Sequence, residues 1–354
     1  MSADLTMTMA LAWLVCLLAA APVAVLALEC AIGARASRRP DDAANPPPFV
    51  VVMPAHDEAA VIARAVGDVL AQLRAGDRLV VIADNCADDT AGIARRLGAT
   101  VIERTDPTRR GKGHALEHAR AWLAGAAEQV VVVVDADCSP LPGALARLAA
   151  TSARRGAAVQ GAYLLIPGAQ ASALVRVSCF AFVVKNLVRQ RALQRLAGAA
   201  LLQGSGMAFP GAVFAQLRWR ADSLVEDLET GLDLLLAGEA VVFDESARFV
   251  SPASSRGGTG SQRRRWEHGM LQATPTAVAR LIAAGVGGRG RLLAVAIDLA
   301  IPPTVLLMVA AAGVFAVALA ALGPIAPVVV LLAAQVALLA ALLAAWRAEG
   351  RAIL

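Results

Sequence analysis

The stretch VVVVVDADC, from Val130 to Cys138, decides the fold of this chain. Five β-branched residues without a polar side chain predict a strand that is buried on both faces. Asp135 and Asp137 follow at its carboxyl end, the edge of an open α/β sheet where ligands bind. Two acids one residue apart can share a divalent cation, and the cation can hold a diphosphate. An isolated D-x-D is more often a solvated turn, so the rest of the chain must decide between these interpretations.

Strands and helices alternate on the amino-terminal side of this stretch. The pattern predicts strands over Phe49 to Met53, Arg78 to Ala83 and Ala99 to Glu103, with helices between them. Such alternation indicates a parallel sheet with crossover helices. Asp84 directly follows the second strand, so we expect it at the same sheet edge as Asp135.

The composition indicates membrane-spanning helices. The chain has 354 residues, is 58% hydrophobic and has a mean hydropathy of +0.61. Leu5 to Leu28 carries no charge and is long enough to span a bilayer. A signal peptide is the alternative, but the segment lacks a positive n-region and its only early charge is Asp4. Leu292 to Leu322 and Ile325 to Ala345 predict two further spans.

The basic residues beside these spans fall on one side of the predicted membrane. Arg35, Arg38 and Arg39 follow the first span, and Arg347 and Arg351 follow the last one. The positive-inside rule therefore predicts a multi-pass membrane protein in which the domain between the first two spans is cytoplasmic. The net charge of +5 is typical of a membrane protein whose basic flanks contact anionic lipid headgroups. We therefore expect no nucleic-acid partner.

The same patterns divide the chain into five parts. We expect an N-terminal transmembrane helix over 1–32, a basic and Pro-rich linker over 33–48, a cytoplasmic catalytic domain over 49–270, an amphipathic interfacial segment over 271–291, and two transmembrane helices over 292–354. Ala171 to Leu196 is basic and amphipathic, which is compatible both with a helix at the membrane surface and with a helix packed on the domain.

Two acids begin the predicted helix from Ser223 to Ala237. Ser223 and Glu226 have the spacing of a capping box, which would give Glu226 a structural role. Asp227 has no such explanation, and it lies at a positive helix end that favours a carboxylate. Asp298 is a single acid near a membrane boundary, where an acid usually has a partner or a function.

These motifs together resemble inverting, membrane-bound glycosyltransferases of family 2, with a motif set like that of cellulose and hyaluronan synthases. The resemblance rests on Asp84, Asp135 with Asp137, Asp227 in Val225-Glu226-Asp227, and a Q-x-x-R-W pattern at 262–266. It covers about Phe49 to Met270 and the flanking spans. It implies the GT-A fold, a nucleotide-binding α/β domain with a mostly parallel sheet and helices on both faces, joined here to one N-terminal and two C-terminal transmembrane helices. Val225 stands where the family's motif has Thr, which removes a hydroxyl but no carboxylate.

The resemblance implies a role for each matching residue. Asp227 is the expected general base, and Asp137 with Asp135 is the expected site for Mg²⁺ or Mn²⁺. The residues expected at the nucleotide sugar are Pro54, Ala55, His56, Glu58, Asp84, Lys112, Asp135 and Arg265. Those expected at the acceptor are Trp266, Gln262, Gly204, Ser205 and Glu226.

The expected function is metal-dependent, inverting transfer of a sugar from a UDP-sugar to a lipid or lipid-linked glycan in exopolysaccharide or envelope synthesis. A processive β-polysaccharide synthase is the first alternative. Three spans are few for a translocating channel unless protomers combine, so a homo-oligomer or an export-machinery partner belongs to that alternative.

A sugar-nucleotidyltransferase would need a Gly-rich, basic loop after the first strand, which Pro54 to Glu58 does not provide. A non-catalytic nucleotide-sugar-binding scaffold would predict loss of Asp137 or Asp227.

Overall fold

A computed structural model describes residues 2–36, 45–125, 129–221, 223, 225–253 and 256–353, and only the backbone at 2–5, 256–268, 270–271 and 352. Eight strands form one sheet. They are β1 Phe49–Ala55, β2 Arg78–Asp84, β3 Thr100–Arg104, β4 Val130–Val133, β5 Ser139–Pro140, β6 Ala158–Ile166, β7 Met207–Pro210 and β8 Val241–Pro252.

The order of the strands in the sheet is β3-β2-β1-β4-β7-β6-β8-β5. The first four neighbours, β3 to β4, are all parallel, as the alternating pattern predicted. β7 runs antiparallel to β4 and β6, and β5 runs antiparallel to β8. The sheet is therefore mixed: a parallel half carries the amino-terminal loops, and β7 joins it to the rest.

The helices cover both faces of the sheet and extend beyond it. They are α1 Ser2–Gly33, α2 Ile62–Leu70, α3 Thr90–Arg96, α4 Lys112–Trp122, α5 Ala144–Arg155, α6 Ala173–Val183, α7 Gln190–Ala197, α8 Gly211–Gln216, α9 Glu226–Ala237, α10 Arg256–Val286, α11 Arg291–Ala300, α12 Thr304–Leu322, α13 Ala326–Ala345 and α14 Arg351–Ile353. A π-helical turn, Val184–Arg189, joins α6 to α7, and a second one, Trp346–Gly350, joins α13 to α14.

The valine run of β4 is buried because both faces of the sheet are covered. Val131 and Val133 contribute to one core cluster, together with residues of α4, α9 and α11. Val130, Val132 and Val134 contribute to the other cluster, together with residues of α2 and α5. None of the five is more than 3% exposed. A strand with helices on both faces needs apolar residues at every position, which explains the absence of alternation.

Three helices are long and apolar enough to cross a membrane: Thr6–Gly33, Thr304–Leu322 and Ala326–Gly350. α1 packs against α12 and α13, and the three share an apolar cluster. Large apolar side chains on their outer sides, such as Leu18 and Val309, are exposed, as expected for contact with lipid.

The first C-terminal span begins later than the sequence suggested. Leu292 was predicted to lie in it, but Leu292 belongs to α11, whose apolar side contributes to the core of the catalytic domain. α11 ends before Pro302 and Pro303, because a proline has no amide hydrogen to continue the helix. The span itself starts at Thr304.

Two further details differ from the expectation. α9 begins at Glu226 rather than Ser223; Val225 is its N-cap and the Ser223 hydroxyl accepts from the Val225 amide at 3.1 Å, so the predicted capping box is not formed. α10 runs continuously past position 270, where a domain boundary was expected. The basic segment from Ala171 to Leu196 packs on the protein, with Arg189 and Arg191 buried, which is one of the two arrangements that its sequence allowed.

Candidate functional site

A cavity of about 510 Å³ opens at the carboxyl ends of the parallel strands. It brings together side chains from β1, β2, β4, α4, α9 and the loop before β7. Eleven of the residues predicted from the sequence line it: Pro54, Ala55, His56, Glu58, Asp84, Lys112, Asp135, Asp137, Gly204, Glu226 and Asp227. Convergence of separate strand ends at one edge is what the alternating pattern predicted.

Asp84 lies at the end of β2 and is held by an ion pair. It is 4% exposed, and its Oδ1 lies 2.6 Å from Nη1 of Arg104. The backbone oxygen of Asp84 is 2.7 Å from Nδ1 of His56, which ties the loops after β1 and β2 together. We did not predict Arg104, although its position at the end of β3, the next strand along the same edge, was a usable signal.

Lys112 lies at the amino end of α4, among the acids of the cavity. Its ammonium group forms an ion pair with Asp135 and donates to the backbone oxygen of Gly204 at 2.6 Å. Gly204 has φ +90°, and a Cβ added there would lie 3.0 Å from Oδ2 of Asp227 and 3.4 Å from Nζ of Lys112. Glycine is therefore required both by the backbone and by the space beside Asp227.

Burial and mutual repulsion raise the pKa of four acids in the cavity. Burial raises the pKa of Glu58 to about 7, with Asp137 and Asp135 adding to the effect. Burial raises the pKa of Glu226 to about 7, and repulsion by the Asp227 carboxylate adds to the effect. Burial, then Asp135, raises the pKa of Asp137. Burial also raises the pKa of Asp227, although the nearby Lys112 ammonium acts in the opposite direction.

Asp135 and Asp137 fit a hard divalent cation. Carboxylate oxygens are the ligands that Mg²⁺ prefers, and Mn²⁺ accepts the same donors. The two carboxylates repel each other and stand near Glu58, so a cation bound there would relieve a repulsion that the raised pKa values of Glu58 and Asp137 already reveal.

Ser205 has a different position from the one expected. It is fully buried, and its hydroxyl accepts from the backbone amide of Asp135 at 3.1 Å. The hydroxyl therefore positions the loop that carries Asp135 from behind the cavity wall, rather than facing an acceptor. Gln262, Arg265 and Trp266 lie outside the residues whose side chains the structure describes, so their predicted roles stay predictions.

A second group of possible metal ligands lies outside the cavity. Oxygen and sulfur atoms of Asp57, Cys86 and Asp88 approach within 4.8 Å of one another. Asp57 accepts from the Ala87 amide at 2.6 Å, and Asp88 accepts from the Ala59 amide at 2.9 Å. These bonds join the loops after β1 and β2, so the carboxylates have a structural role without a metal.

The cavity continues from Asp227 toward the cytoplasmic ends predicted for the spans. Its lining there includes Phe182, Lys185, Arg189, Asp298 and Ile301. This membrane-side arm was not predicted as part of the site, although Asp298 had been singled out as an unusual acid.

Arg189, Glu29 and Asp298 form a buried ion triad that connects three helical segments at this arm. Nε of Arg189 lies 2.9 Å from Glu29 of α1, and its Nη2 lies 3.0 Å from Oδ1 of Asp298 of α11. The same Nη2 donates to the backbone oxygen of Asp298 at 2.6 Å. The first span, the π-helical turn and α11 therefore meet at one guanidinium group beside the cavity.

Comparison with solved structures shows the fold. A mannosyltransferase from Pyrobaculum calidifontis, solved with GDP-Man and Mn²⁺, is 21% identical, covers 93% of this chain and 97% of its own, and has a TM-score of 0.59. Glucosyl-3-phosphoglycerate synthase from Mycobacterium tuberculosis, solved with Mn²⁺, UDP-glucose and phosphoglyceric acid, is 19% identical over 69% of this chain and 85% of its own, with a TM-score of 0.47. The match to the Pyrobaculum mannosyltransferase shows that the chain has a GT-A-like fold, as predicted, and that enzyme was solved with a nucleotide sugar and Mn²⁺.

Sequence comparison adds curated relatives and a family. Uncharacterized glycosyltransferases of Mycobacterium tuberculosis and Mycobacterium bovis are 40% identical over 82 residues, 23% of this chain and 35% of each relative. The match thus spans about a third of the length of these relatives. The family described as "Glycosyltransferase like family 2" matches residues 46–269, well over half of the chain and all of the strands. The chain therefore belongs to that family.

Proposed function

We propose that this protein transfers a sugar, with inversion, from a nucleoside diphosphate sugar to a lipid or lipid-linked glycan held in the membrane. One observation carries the proposal: a single cavity joins Asp227 and the Asp135–Asp137 pair to Asp298 and Ile301, next to the spans. An acceptor anchored in the bilayer can reach the base through this arm without leaving the membrane. The proposed setting is exopolysaccharide or envelope glycan synthesis at the cytoplasmic side of a bacterial plasma membrane.

The donor end of the cavity suits a nucleoside diphosphate and a metal ion. Asp84, held by Arg104, presents a buried carboxylate to the N–H groups of a base, and Lys112 lies beside Asp135 for the diphosphate. We propose UDP as the nucleotide, in accordance with the sequence motifs. The Pyrobaculum mannosyltransferase was solved with GDP-Man, so guanosine nucleotides belong in the same screen. Mg²⁺ or Mn²⁺ on Asp135 and Asp137 would neutralise the charge that develops on the leaving diphosphate.

The proposed reaction is one in-line displacement. The acceptor hydroxyl oxygen forms a bond to the anomeric carbon, and its proton passes to the Asp227 carboxylate. The bond between the anomeric carbon and the diphosphate oxygen breaks, and its electron pair leaves with the nucleoside diphosphate. A single displacement inverts the configuration at the anomeric carbon, so an α-linked donor yields a β-linked product.

The electrostatics of the cavity support Asp227 as the base. It lies beside Lys112, which counteracts part of the rise in its pKa, and Glu226 next to it has a pKa of about 7. A carboxylate whose pKa is raised is a stronger base than a solvated one.

The test is a screen of UDP- and GDP-sugars for metal-dependent release of nucleotide by the purified protein in bilayers, followed by mass analysis of the lipids. We expect Asp227→Asn to lower the transfer rate by about 10²- to 10⁴-fold, which is the usual contribution of a positioned base. Asp233→Asn is the matched control, since Asp233 lies on the same helix but pairs with Arg220 and Arg280 at the surface. Full activity of Asp227→Asn would refute the assignment, and long polymer formed without added lipid would favour the processive alternative.

A further inference from the structure

Two amide side chains that line the cavity have buried polar atoms without a hydrogen-bond partner among the residues that the structure describes. Asn186, in the π-helical turn, is 2% exposed, and its Oδ1 has no partner. Neither Oε1 nor Nε2 of Gln203 has one. Both residues line the cavity. Buried polar groups are nearly always hydrogen-bonded in folded proteins, so two such amides in one cavity indicate a ligand.

The orientation of the Asn186 amide follows from its one hydrogen bond. Its Nδ2 donates to the backbone oxygen of Tyr163 at 3.2 Å. A carbonyl oxygen can only accept, so the nitrogen must face Tyr163 and the atom left over must be Oδ1. The ligand at this point therefore has to supply a hydrogen-bond donor.

The two amides line the same cavity and have different anchors. Gln203 directly precedes Gly204, which lies against Asp227. The backbone amide of Gln203 donates to Oε1 of Gln160 at 2.8 Å. Asn186 is anchored to Tyr163, three residues further along β6. The two amides are therefore anchored at different positions of β6.

The unpaired atoms define the chemistry of the ligand. Two oxygens need donors and one NH₂ group needs an acceptor. A hydroxyl group supplies both, whereas an ionised phosphate supplies acceptors only. We propose that Asn186 and Gln203 bind hydroxyl groups of a sugar already present on the acceptor, so that the acceptor is a glycosylated lipid rather than a bare polyprenyl phosphate. This inference rests on the proposed transfer to a membrane-held acceptor and specifies its class.

The experiment compares two classes of acceptor lipid in otherwise identical vesicles. One set contains monoglycosyl diacylglycerols with glucose, galactose or mannose headgroups, and the other contains undecaprenyl phosphate. The donor is the nucleotide sugar that gives the highest rate in the screen above. We expect radiolabelled sugar on a glycosyl lipid at a rate at least tenfold above that on the polyprenyl phosphate.

Substitutions then test whether Asn186 and Gln203 contact the glycosyl lipid. We expect Asn186→Leu to raise the KM for the glycosyl lipid about threefold to tenfold, the usual effect of one neutral hydrogen bond, and Gln203→Leu to add to it. The KM for the nucleotide sugar should change less than twofold. Gln72→Leu is the matched control, because the Gln72 amide is hydrogen-bonded to Pro140 and Gly143, outside the cavity. Its KM values should equal those of the wild type.

Each remaining result counts against the inference. Preferred transfer to undecaprenyl phosphate would overturn it and leave the proposed function intact. A rise in the KM for the nucleotide sugar, with none for the lipid, would assign the amides to the donor and overturn it as well. Absence of transfer to every lipid would refute the proposed function and this inference together.

Discussion

Replacing Arg189 by methionine tests whether the buried ion triad holds the membrane-side arm of the cavity. Met fills a similar volume but carries no charge. Glu29 and Asp298, each about 5% exposed, would then face each other without a cation. Removing one partner of a buried ion pair costs about 3–5 kcal/mol, because the other charge stays desolvated.

The expected loss of unfolding free energy converts into a measurable decrease of the melting temperature. A change of 1 kcal/mol moves the melting temperature by about 2–4 °C in domains of 150–250 residues and by less in larger ones, so a loss of 3–5 kcal/mol predicts a decrease of roughly 5–10 °C. The assay is thermal unfolding of the full chain in detergent micelles, followed by circular dichroism or by intrinsic fluorescence. A second readout is transfer activity at a temperature where the variant is folded; we expect it to fall, because Arg189 and Asp298 line the arm.

Two further variants separate charge pairing from packing. Arg220→Met removes a surface guanidinium that pairs with Asp233 and is 48% exposed, so its melting temperature should fall by at most about 2 °C. The triple variant Arg189→Met, Glu29→Gln and Asp298→Asn removes all three charges and should recover at least half of the loss. A melting temperature of Arg189→Met within 1 °C of the wild type, or a triple variant less stable than the single one, would refute the reasoning.

Four other predictions concern the charged residues of the cavity and the proposed metal ion. Lys112→Met should raise the KM for the nucleotide sugar about tenfold to a hundredfold, since charge-assisted hydrogen bonds are worth about 1.5–3 kcal/mol; steady-state kinetics at saturating metal check this. Arg104→Met should weaken binding of the free nucleoside diphosphate in calorimetry, because the Asp84 carboxylate loses the pair that fixes it. EDTA should abolish transfer, and Mn²⁺ or Mg²⁺ should restore it; metal-independent transfer would contradict the assignment of Asp135 and Asp137. The pKa of Glu226 is raised in the folded state to about 7, so its contribution to stability is present below pH 4.5 and is lost as pH rises through 7. Without metal, the melting temperature should therefore fall from pH 5 to pH 8 more in the wild type than in Glu226→Gln.

The donor end of the cavity was predictable because it depends on local patterns. A run of valines followed by acids fixes a strand and the position of its end, and parallel strands bring their carboxyl ends to one edge. Asp84 and Asp135 therefore meet although 51 residues separate them in the numbering. The same reasoning explains why Lys112 converges with them, at the start of the helix that leads into β4.

The membrane-side arm was not predictable in this way. A basic, amphipathic segment has the same sequence pattern whether its arginines face lipid headgroups or buried carboxylates. Arg189 contacts Glu29 and Asp298, which lie 160 and 109 positions away, and no periodicity connects such distant residues. The unpaired amides of Asn186 and Gln203 are equally invisible in the sequence, because an amide on a loop or helix normally faces solvent.

The charges of the cavity also constrain the order in which ligands bind. Glu58, Asp135, Asp137, Glu226 and Asp227 line it, and Lys112 is the cation nearest to them. Burial, and to a smaller extent the neighbouring carboxylates, raises the pKa of Glu58, Asp137, Glu226 and Asp227, so negative charge in the cavity is unfavourable. A nucleoside diphosphate sugar carries two further negative charges, so it would enter an unfavourable field unless a divalent cation is bound first or enters with it. Binding of the free nucleoside diphosphate should accordingly be at least tenfold weaker without Mn²⁺ or Mg²⁺, and the difference should shrink in Asp137→Asn, where one repelling charge has been removed together with a metal ligand.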